Sequence, residues 1–343
     1  MARKVLVFNF FAGIFHRGIP LYVDNLSVAL ERQGLRVTQF RCPRFLHRQP
    51  RWFINLVFVF CEQFVMPLAS LAYWRTIHPS NSVSVLSSIF GRPLLIVHDF
   101  IPNRRKNKAF AARYIRTTQR IHDCRGGDVA YISRGNQRTA RLTHRFMRSR
   151  TYLFPNAFFR FAELRSAVAP PRENYVLLCS GWGKNKDLEG ALTLYLQSRL
   201  YETRSLHILG LQGVGDRVAA FCAMHPELAG RVTVLPKIDD AAVVACYEKA
   251  AWVWVHSLQE GFGRSIAEAR LCGCRVAAAN IPPFREQRDA AVTLYAGLDE
   301  FGRAIAACED SLDHPSMGNP PEQVLLLSEI KRYLQDAGCG SWS

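Results

Sequence analysis

Two glutamates separated by a glycine-containing turn are the residues of this sequence whose types and spacing best suit chemistry. The segment from Glu260 to Glu268 reads EGFGRSIAE and follows the apolar run Trp252–Val255. Gly261 and Gly263 allow the backbone to turn sharply and expose amide groups, and a helix starting after them directs its N-terminus at the same place. The segment therefore predicts an anion site flanked by two carboxylates.

These residues have two interpretations. In the chemical one, one carboxylate accepts sugar hydroxyls and the other accepts ribose hydroxyls, with phosphates bound between them, which suits a nucleotide sugar. In the structural one, the glycines only shape a turn and Glu268 only complements a helix dipole. An isolated glycine pair of this kind favours the structural interpretation. The elements around the segment must decide between the two.

Length and cysteine usage limit the class of protein. A chain of 343 residues exceeds what one hydrophobic core usually serves, so we expect two domains. The ten cysteines form no CxxC pair and no Cys/His group at metal-ligand spacing. We therefore expect a reducing compartment, most thiols in the core, and no metal.

Charge is unevenly distributed along the chain. Residues 1–150 contain 25 Lys and Arg against 6 Asp and Glu, a net charge of +19, whereas residues 151–343 carry −3. The first half is therefore expected to face something anionic.

The coarse pattern of the first half is that of alternating strands and helices. A strand is expected at Lys4–Phe10, a helix from Pro20 to Gly34 and a strand at Val37–Phe40, which together make a βαβ unit. Further strands are predicted at Val83–Leu86, Leu94–Val97 and Val129–Ile132.

A break in this pattern separates a second series of elements. Residues 155–173 contain Pro155, Pro170 and Pro171 and are typical of a linker. Buried-looking strands follow at Tyr175–Cys179, Ser205–Leu209, Val232–Leu235, Trp252–Val255 and Arg275–Ala278. We predict two doubly wound α/β domains, residues 1–165 and 172–318. Residues 319–343, with a helix at Pro321–Ala337, are expected to pack back toward the first domain.

One apolar stretch, Trp52–Trp74, is long enough to span a membrane and carries Glu62 as its one formal charge. A charge at mid-span is costly in hydrocarbon, and Pro67 also interrupts the stretch. A half-buried domain helix is the favoured interpretation, and an interfacial helix remains the alternative.

The chain resembles the retaining glycosyltransferases of family four, which have the GT-B fold. The family's EGFG-x-x-x-x-EA motif, small-residue loop and P-x-x-E correspond to Glu260–Ala269, Gly273–Val276 and Pro283–Glu286. Four segments upstream also resemble family motifs. Arg17-Gly18-Ile19 resembles the glycine loop, and Glu62-Gln63 with Pro67 resembles an EQ-x-x-(L)P helix. His98-Asp99-Phe-Ile-Pro102 resembles the HD-L-x-P strand end, and Pro155-Asn156-Ala157 resembles the PN-G junction. The resemblance implies two Rossmann-like domains facing across a cleft and places Trp52–Trp74 in a domain helix.

Site roles follow from the resemblance, residue by residue. His98 is expected to contact the donor sugar near the reacting carbon, a core histidine being the alternative, and Glu260 to position that sugar. Gly261, Phe262 and Gly263 would present the turn and its amides to sugar or phosphate. Glu268 would bind the ribose, and Gly18 would let its loop approach the diphosphate.

The diphosphate clamp departs from the family pattern. Relatives carry an Arg and a Lys in a longer loop, whereas this chain has Gly181-Trp-Gly-Lys184-Asn-Lys186. Lys186 is the better candidate and Lys184 the second, and a solvated surface lysine is the alternative.

The acceptor side is predicted from a basic run of four residues, Arg104, Arg105, Lys106 and Lys108. We expect this run to meet anionic lipid headgroups or a lipid-linked acceptor, in a cytoplasmic protein bound peripherally to the inner face of the cytoplasmic membrane. The resemblance implies transfer from a nucleotide-sugar donor, GDP-mannose or similar, to a glycan or lipid-linked acceptor in surface-polysaccharide synthesis, without cofactor or metal. The alternatives are a basic nucleic-acid-binding protein, which leaves Glu260–Glu268 unexplained, and a GT-B protein with another activity.

Overall fold

The computed structural model describes residues 3–14, 18–100, 109–181, 183–210, 214–310 and 321–338. The chain divides into two compact units. The first comprises Met1–Ala157 and Pro321–Ser343, and the second comprises Phe158–Pro320.

The first unit contains a parallel six-stranded sheet with strand order β2-β1-β3-β4-β5-β6. Its strands are β1 Lys4–Asn9, β2 Arg36–Arg41, β3 Arg75–His78, β4 Leu94–Val97, β5 Asp128–Tyr131 and β6 Arg150–Leu153. The helices are α1 Ile19–Arg32, α2 Arg51–Phe60, α3 Met66–Ser70, α4 Val85–Phe90, α5 Ala109–Cys124, α6 Arg134–Leu142 and, from the end of the chain, α14 Pro321–Asp336. Strands β1 and β4 are almost wholly buried, as parallel strands covered on both faces require.

The strand predicted at Val83–Leu86 is wrong. Ser84 caps α4 there by accepting a hydrogen bond from the Ser87 amide at 3.1 Å, so Val85 begins a helix. The true third strand, β3, has the sequence RTIH, whose mixture of polar and apolar residues hides it from a hydrophobic pattern.

Helix α14 belongs to the first unit. The Glu329 carboxylate accepts a hydrogen bond from the Leu153 amide at 2.9 Å, and Tyr152 donates its hydroxyl to Asp336 at 3.0 Å. The helix therefore covers β6, an edge strand that would otherwise expose its backbone groups.

The long apolar stretch forms one continuous helix, Arg51–Ser70, in which α2 and α3 are joined by a π-helical turn, Cys61–Val65. By length and composition this helix could span a membrane. Its inner face packs on the core around Phe8 and Phe58. Glu62 is fully buried, where it accepts hydrogen bonds from Ser82 at 2.9 Å and Tyr114 at 2.5 Å. It is the half-buried domain helix that the sequence favours.

The second unit contains another parallel six-stranded sheet, with order β12-β11-β10-β7-β8-β9. Its strands are β7 Tyr175–Cys179, β8 Ser205–Leu209, β9 Val232–Val234, β10 Trp252–Val255, β11 Val276–Ala279 and β12 Val292–Tyr295. Its helices are α7 Phe159–Glu163, α8 Leu188–Gln197, α9 Gly215–Met224, α10 Asp240–Lys249, α11 Arg264–Leu271, α12 Pro282–Arg285 and α13 Leu298–Glu309. The order is that of a doubly wound dinucleotide-binding sheet, whose direction of winding reverses between β7 and β10.

Candidate functional site

The carboxyl ends of β7 and β10 meet at the topological switch point, which is where ligands bind in open parallel sheets. The loop after β7 and the loop after β10 are joined there by hydrogen bonds. The Asn185 carbonyl accepts from the Leu258 amide at 2.8 Å and from the Ser257 hydroxyl at 2.7 Å, and the Asn185 side-chain amide donates to the Gln259 carbonyl at 3.1 Å. The two predicted site segments therefore form one surface.

An ion pair connects the two loops at this surface. Lys186 Nζ donates to Glu260 Oε1 at 2.5 Å, and the Ser257 hydroxyl oxygen lies 3.1 Å from the same carboxylate oxygen. The side chains of Lys186 and Glu260 are 30% and 18% exposed, so both charges remain accessible to a ligand. Lys184 lies on the same short 3-10 turn but is exposed, with no ion-pair partner among the described residues.

The turn after Glu260 is built around Gly263. Its φ of 89° is left-handed, and a Cβ there would lie 2.4 Å from Phe284 Cε1. Gln287 donates its side-chain amide to the Phe262 carbonyl at 2.5 Å and to the Gly263 carbonyl at 3.3 Å. Because Gln287 engages these two carbonyls, the amides of the turn and the first amides of α11 are left to bind an anion at the switch point.

Glu268 lies buried on α11, at 3% exposure. Its carboxylate accepts a hydrogen bond from the Tyr247 hydroxyl at 3.1 Å and is paired with Arg264 at 3.2 Å. The Tyr247 hydroxyl is also 3.2 Å from Cys179 Sγ, at the end of β7. Burial raises the pKa of the Cys179 thiol to about 12, so this cysteine is a neutral packing residue.

A series of hydrogen-bonded side chains supports the loop that carries Lys186. His256 Nε2 lies 3.2 Å from Asp187, and His256 Nδ1 lies 2.5 Å from the Tyr295 hydroxyl. Trp254 donates its indole NH to the same hydroxyl at 2.7 Å. Burial lowers the pKa of His256, with the Asp187 carboxylate opposing, so the ring is held neutral at physiological pH. These hydrogen-bonded side chains fix Asp187, whose φ of 45° is left-handed, next to Lys186.

The remaining predicted residues lie on the first unit. His98 directly follows β4, with its backbone amide donating to Asn81 at 2.6 Å and its ring edge-on to Tyr22 at a centroid distance of 4.7 Å. Gly18 precedes α1 with a left-handed φ of 77° and open space beside it. Both therefore occupy the carboxyl edge of the first sheet, the edge at which such sheets bind ligands.

Some predicted residues lie outside the described part of the chain. These are Arg17 and the basic run Arg104, Arg105, Lys106 and Lys108. Within the described ranges, no group of three or more His, Cys, Asp or Glu side chains is arranged to hold a metal ion.

Solved structures resemble the chain over nearly its whole length. Sucrose-phosphate synthase from Thermosynechococcus elongatus has a TM-score of 0.72 at 17% identity, with 99% of this chain and 100% of that one covered. Anabaena HepE, solved with UDP and glucose, has a TM-score of 0.64 at 16% identity and coverages of 99% and 100%. The lipopolysaccharide outer core galactosyltransferase WaaB has a TM-score of 0.66 at 13% identity and coverages of 97% and 99%. At these identities the likeness establishes the fold, which is GT-B.

Sequence comparison identifies the part of the chain that carries the site. Residues 160–298 match the family model of glycosyl transferases group 1. This part of the chain is similar in sequence to glycosyltransferases. The matched range covers Lys186, Glu260 and Glu268, so the site segments lie inside the glycosyltransferase match. No curated protein matches the chain in sequence.

Four residues that shape this candidate site escaped the sequence prediction: Asp187, Tyr247, His256 and Gln287. Their neighbours in space are distant in sequence, since Tyr247 reaches Glu268 and Gln287 reaches Phe262. Position gave a partial signal for two of them, because His256 directly follows β10 and Asp187 directly follows Lys186.

Proposed function

We propose that the protein is a glycosyltransferase that moves a hexose from a nucleotide-sugar donor to a glycan or lipid-linked acceptor, with retention of anomeric configuration. We further propose that the donor is GDP-mannose or a similar nucleotide sugar and that the reaction belongs to surface-polysaccharide synthesis. HepE has been solved with UDP-glucose, and starch synthase IV from Arabidopsis thaliana with ADP and acarbose. Binding of a nucleotide sugar by one protein of similar fold, and of a nucleoside diphosphate by another, supports a nucleotide-sugar donor.

The Lys186–Glu260 pair at the switch point is the observation that carries the proposal. An ammonium group has three N–H donors, and the described contact uses one of them. Lys186 can therefore keep Glu260 in place while donating to diphosphate oxygens. Glu260, aimed at the same space, is a hydroxyl acceptor for the sugar.

Transfer requires negative charge on the leaving diphosphate to be stabilised as the C1–O bond breaks. In the proposal, Lys186 and the amides of the Phe262–Gly263 turn supply preorganised positive potential, commonly the largest contribution to such catalysis. Glu268 accepts from a ribose hydroxyl while Tyr247 and Arg264 hold its carboxylate in place. The leaving phosphate accepts the acceptor's proton as the new glycosidic bond forms on the same face.

The proposal also gives roles to two residues of the first unit, His98 and Gly18. His98 contacts the donor sugar near its reacting carbon, and Gly18 lets the loop before α1 approach the diphosphate. The conformation of Gly18 supports this role, since a residue with a Cβ rarely adopts a φ of 77°.

Donor turnover tests the proposal. Purified protein is incubated with GDP-, UDP- and dTDP-sugars, and released nucleoside diphosphate is measured for wild type, Glu260→Gln, Lys186→Met and His98→Ala. We expect turnover of at least one donor and a loss of about 10²- to 10³-fold in each variant. Lys184→Met is the matched control for removal of a lysine from the same turn, with an expected loss below about threefold.

Two results would contradict the proposal. One is wild-type protein that turns over no member of the panel yet binds nucleic acid in a salt-sensitive manner. The other is a Lys186→Met variant no slower than Lys184→Met, with both folded by circular dichroism. That result would leave the transferase assignment intact but remove Lys186 from the site.

A further inference from the structure

An unbroken row of large apolar side chains lies on the outer face of helix Arg51–Ser70 and its continuation. The row consists of Trp52, Leu56, Phe60, Phe64, Leu68 and Leu71, each between 54% and 86% exposed. The spacing of three to four residues keeps all six on one side of the helix. Exposed apolar side chains are common singly, but a continuous row about 30 Å long marks an interaction surface. We call these six residues the apolar row.

The neighbouring helix α4 extends the apolar row sideways. Phe90, at the end of α4, is 85% exposed, and Ile89 beside it is 38% exposed. Because the inner face of helix Arg51–Ser70 is committed to the core and holds buried Glu62, the helix cannot be surrounded by lipid. The surface is suited to lying on an apolar medium rather than crossing it.

The segment that carries the apolar row has exposed charges of one sign. From Arg32 to His98 the sequence contains eight arginines and one acidic residue, Glu62, which is fully buried. The exposed part of this segment therefore carries no carboxylate. An apolar face on a segment whose exposed charges are all cationic is complementary to a surface that is apolar within and anionic outside.

A cavity of about 800 Å³ opens beside the end of the apolar row, at the amino edge of the first sheet. Its lining residues include Leu71 and Phe90 and four arginines: Arg75, Arg92, Arg125 and Arg150. The one carboxylate among its lining residues, Asp128, is already paired with Arg150 at 2.8 Å. We call this space the arginine pocket.

The wall of the arginine pocket includes an aromatic residue. Trp74, with the Arg75 guanidinium 5.0 Å over its ring, gives the pocket an amphipathic wall of the kind found at membrane interfaces.

We propose that the apolar row and the arginine pocket together form a membrane-docking face. The row inserts between lipid tails with helix Arg51–Ser70 lying in the plane of the bilayer, and the pocket binds the phosphate of an anionic phospholipid headgroup. This surface shares no residue with the basic run at Arg104–Lys108 or with the donor site, so it does not depend on the proposed function.

The orientation of helix Arg51–Ser70 decides which edge of the first sheet lies near the membrane. The helix starts after β2 and ends before β3, so it runs from the carboxyl edge to the amino edge of the first sheet. With the helix flat on the membrane, the carboxyl edge that carries His98 lies near the bilayer surface. A lipid-linked acceptor would then be presented at that edge.

A second copy of the chain is a poorer occupant of this face. A two-fold interface brings the same patch together from both subunits, and would place this arginine-bordered surface against itself with no exposed carboxylate from residues 32–98. Like charges so arranged oppose association, whereas an anionic bilayer neutralises them.

Vesicle sedimentation of the full chain tests the proposal, with phosphatidylcholine vesicles compared with vesicles that also contain phosphatidylglycerol. One variant carries Phe64→Ser, Leu68→Ser and Leu71→Ser, and a matched control carries Leu142→Ser and Met147→Ser, which are equally exposed on the first unit. A second variant carries Arg92→Ala and Arg125→Ala, with Arg138→Ala and Arg148→Ala as its control. All of these side chains are exposed, so folding is preserved, and thermal unfolding checks this.

We expect wild type to prefer the anionic vesicles. The apolar variant should bind them at least about tenfold more weakly, because burial of apolar area provides the insertion energy. The arginine variant should lose about tenfold on anionic vesicles and little on neutral ones. Both controls should remain within about twofold of wild type.

Three outcomes would overturn the proposal. The first is wild type that does not sediment with anionic vesicles, and the second is a test variant that binds like its control. The third is a wild-type dimer in solution that the apolar substitutions convert to monomer, since a second copy of the chain would then cover the face. Donor turnover measured on the same variants separates this result from the proposed function, because no substituted residue lies in the donor site.

Discussion

Replacing Gly263 by alanine perturbs the donor turn in a way that the structure makes quantitative. Two separate costs arise at this position. The φ of 89° is left-handed, and the added Cβ would lie 2.4 Å from Cε1 and 2.8 Å from Cδ1 of Phe284. Phe284 is fully buried, so its ring has little room to move away.

The size of each cost follows from general values. A left-handed conformation costs an L-residue about 1–2 kcal/mol. Forcing a methyl group into a packed core costs about 1–3 kcal/mol. We therefore expect Gly263→Ala to destabilise the second unit by about 2–5 kcal/mol. Gly230 separates the two costs, because its φ is 70° but an added Cβ would meet no atom within 4 Å, so Gly230→Ala should show the conformational cost alone.

Urea unfolding followed by tryptophan fluorescence is a suitable assay, since Trp252 and Trp254 are buried in the second unit. A double-mutant cycle adds Phe284→Leu, which shortens the side chain that the Cβ meets. We expect a favourable coupling of about 1–2 kcal/mol between the two substitutions, because the leucine relieves the collision but not the φ strain. A Gly263→Ala variant no less stable than Gly230→Ala, or a coupling of zero, would refute this account of the turn.

Three further predictions concern buried polar groups. Burial lowers the pKa of His122 from 6.5 to about 4, so the unfolded chain takes up this proton first and stability falls as pH decreases through that window. The loss should be about 3 kcal/mol between pH 6.5 and pH 4, and His122→Gln should flatten urea midpoints measured across this range. Tyr247→Phe removes a hydrogen bond to Glu268, so calorimetry should show nucleotide affinity about fivefold weaker; unchanged affinity would exclude the ribose role. Glu62→Ala leaves the Tyr114 and Ser82 hydroxyls unsatisfied and should destabilise the first unit by about 2–4 kcal/mol, more than Glu62→Gln does, in thermal unfolding.

The fold was accessible from the sequence where strands are uniformly apolar. Tyr175–Cys179 and Trp252–Val255 are buried along their whole length, so a run of apolar residues bounded by loops predicts them directly. β3 was missed because its residues are mixed, and β6 and β12 because polar residues interrupt them. These three segments form strands because they pair with apolar neighbouring strands, and their own hydrophobic pattern does not predict it.

The sequence predicted the main residues of the candidate site but not the side chains that hold them in place. Glu260 was recognisable from the glycine-containing turn that follows a predictable strand, and Lys186 from the resemblance to the family's diphosphate clamp. Their 2.5 Å contact joins residues 74 positions apart, and only the order of β7 beside β10 brings them together. The Gln287 and Tyr247 contacts depend likewise on tertiary packing. Similarly, the apolar composition of Trp52–Trp74 is evident from sequence, whereas the split into a core face and an exposed row requires the structure.

The central claim is that the β7–β10 switch point binds the diphosphate of a nucleotide sugar, and calorimetric titration with UDP, GDP, dTDP and ADP tests it most directly. We predict that wild type binds at least one of these nucleotides, that Lys186→Met weakens this binding at least about tenfold, and that Lys184→Met leaves it within about threefold. Absence of binding by folded wild type, or equal affinities for the two lysine variants, would contradict the claim.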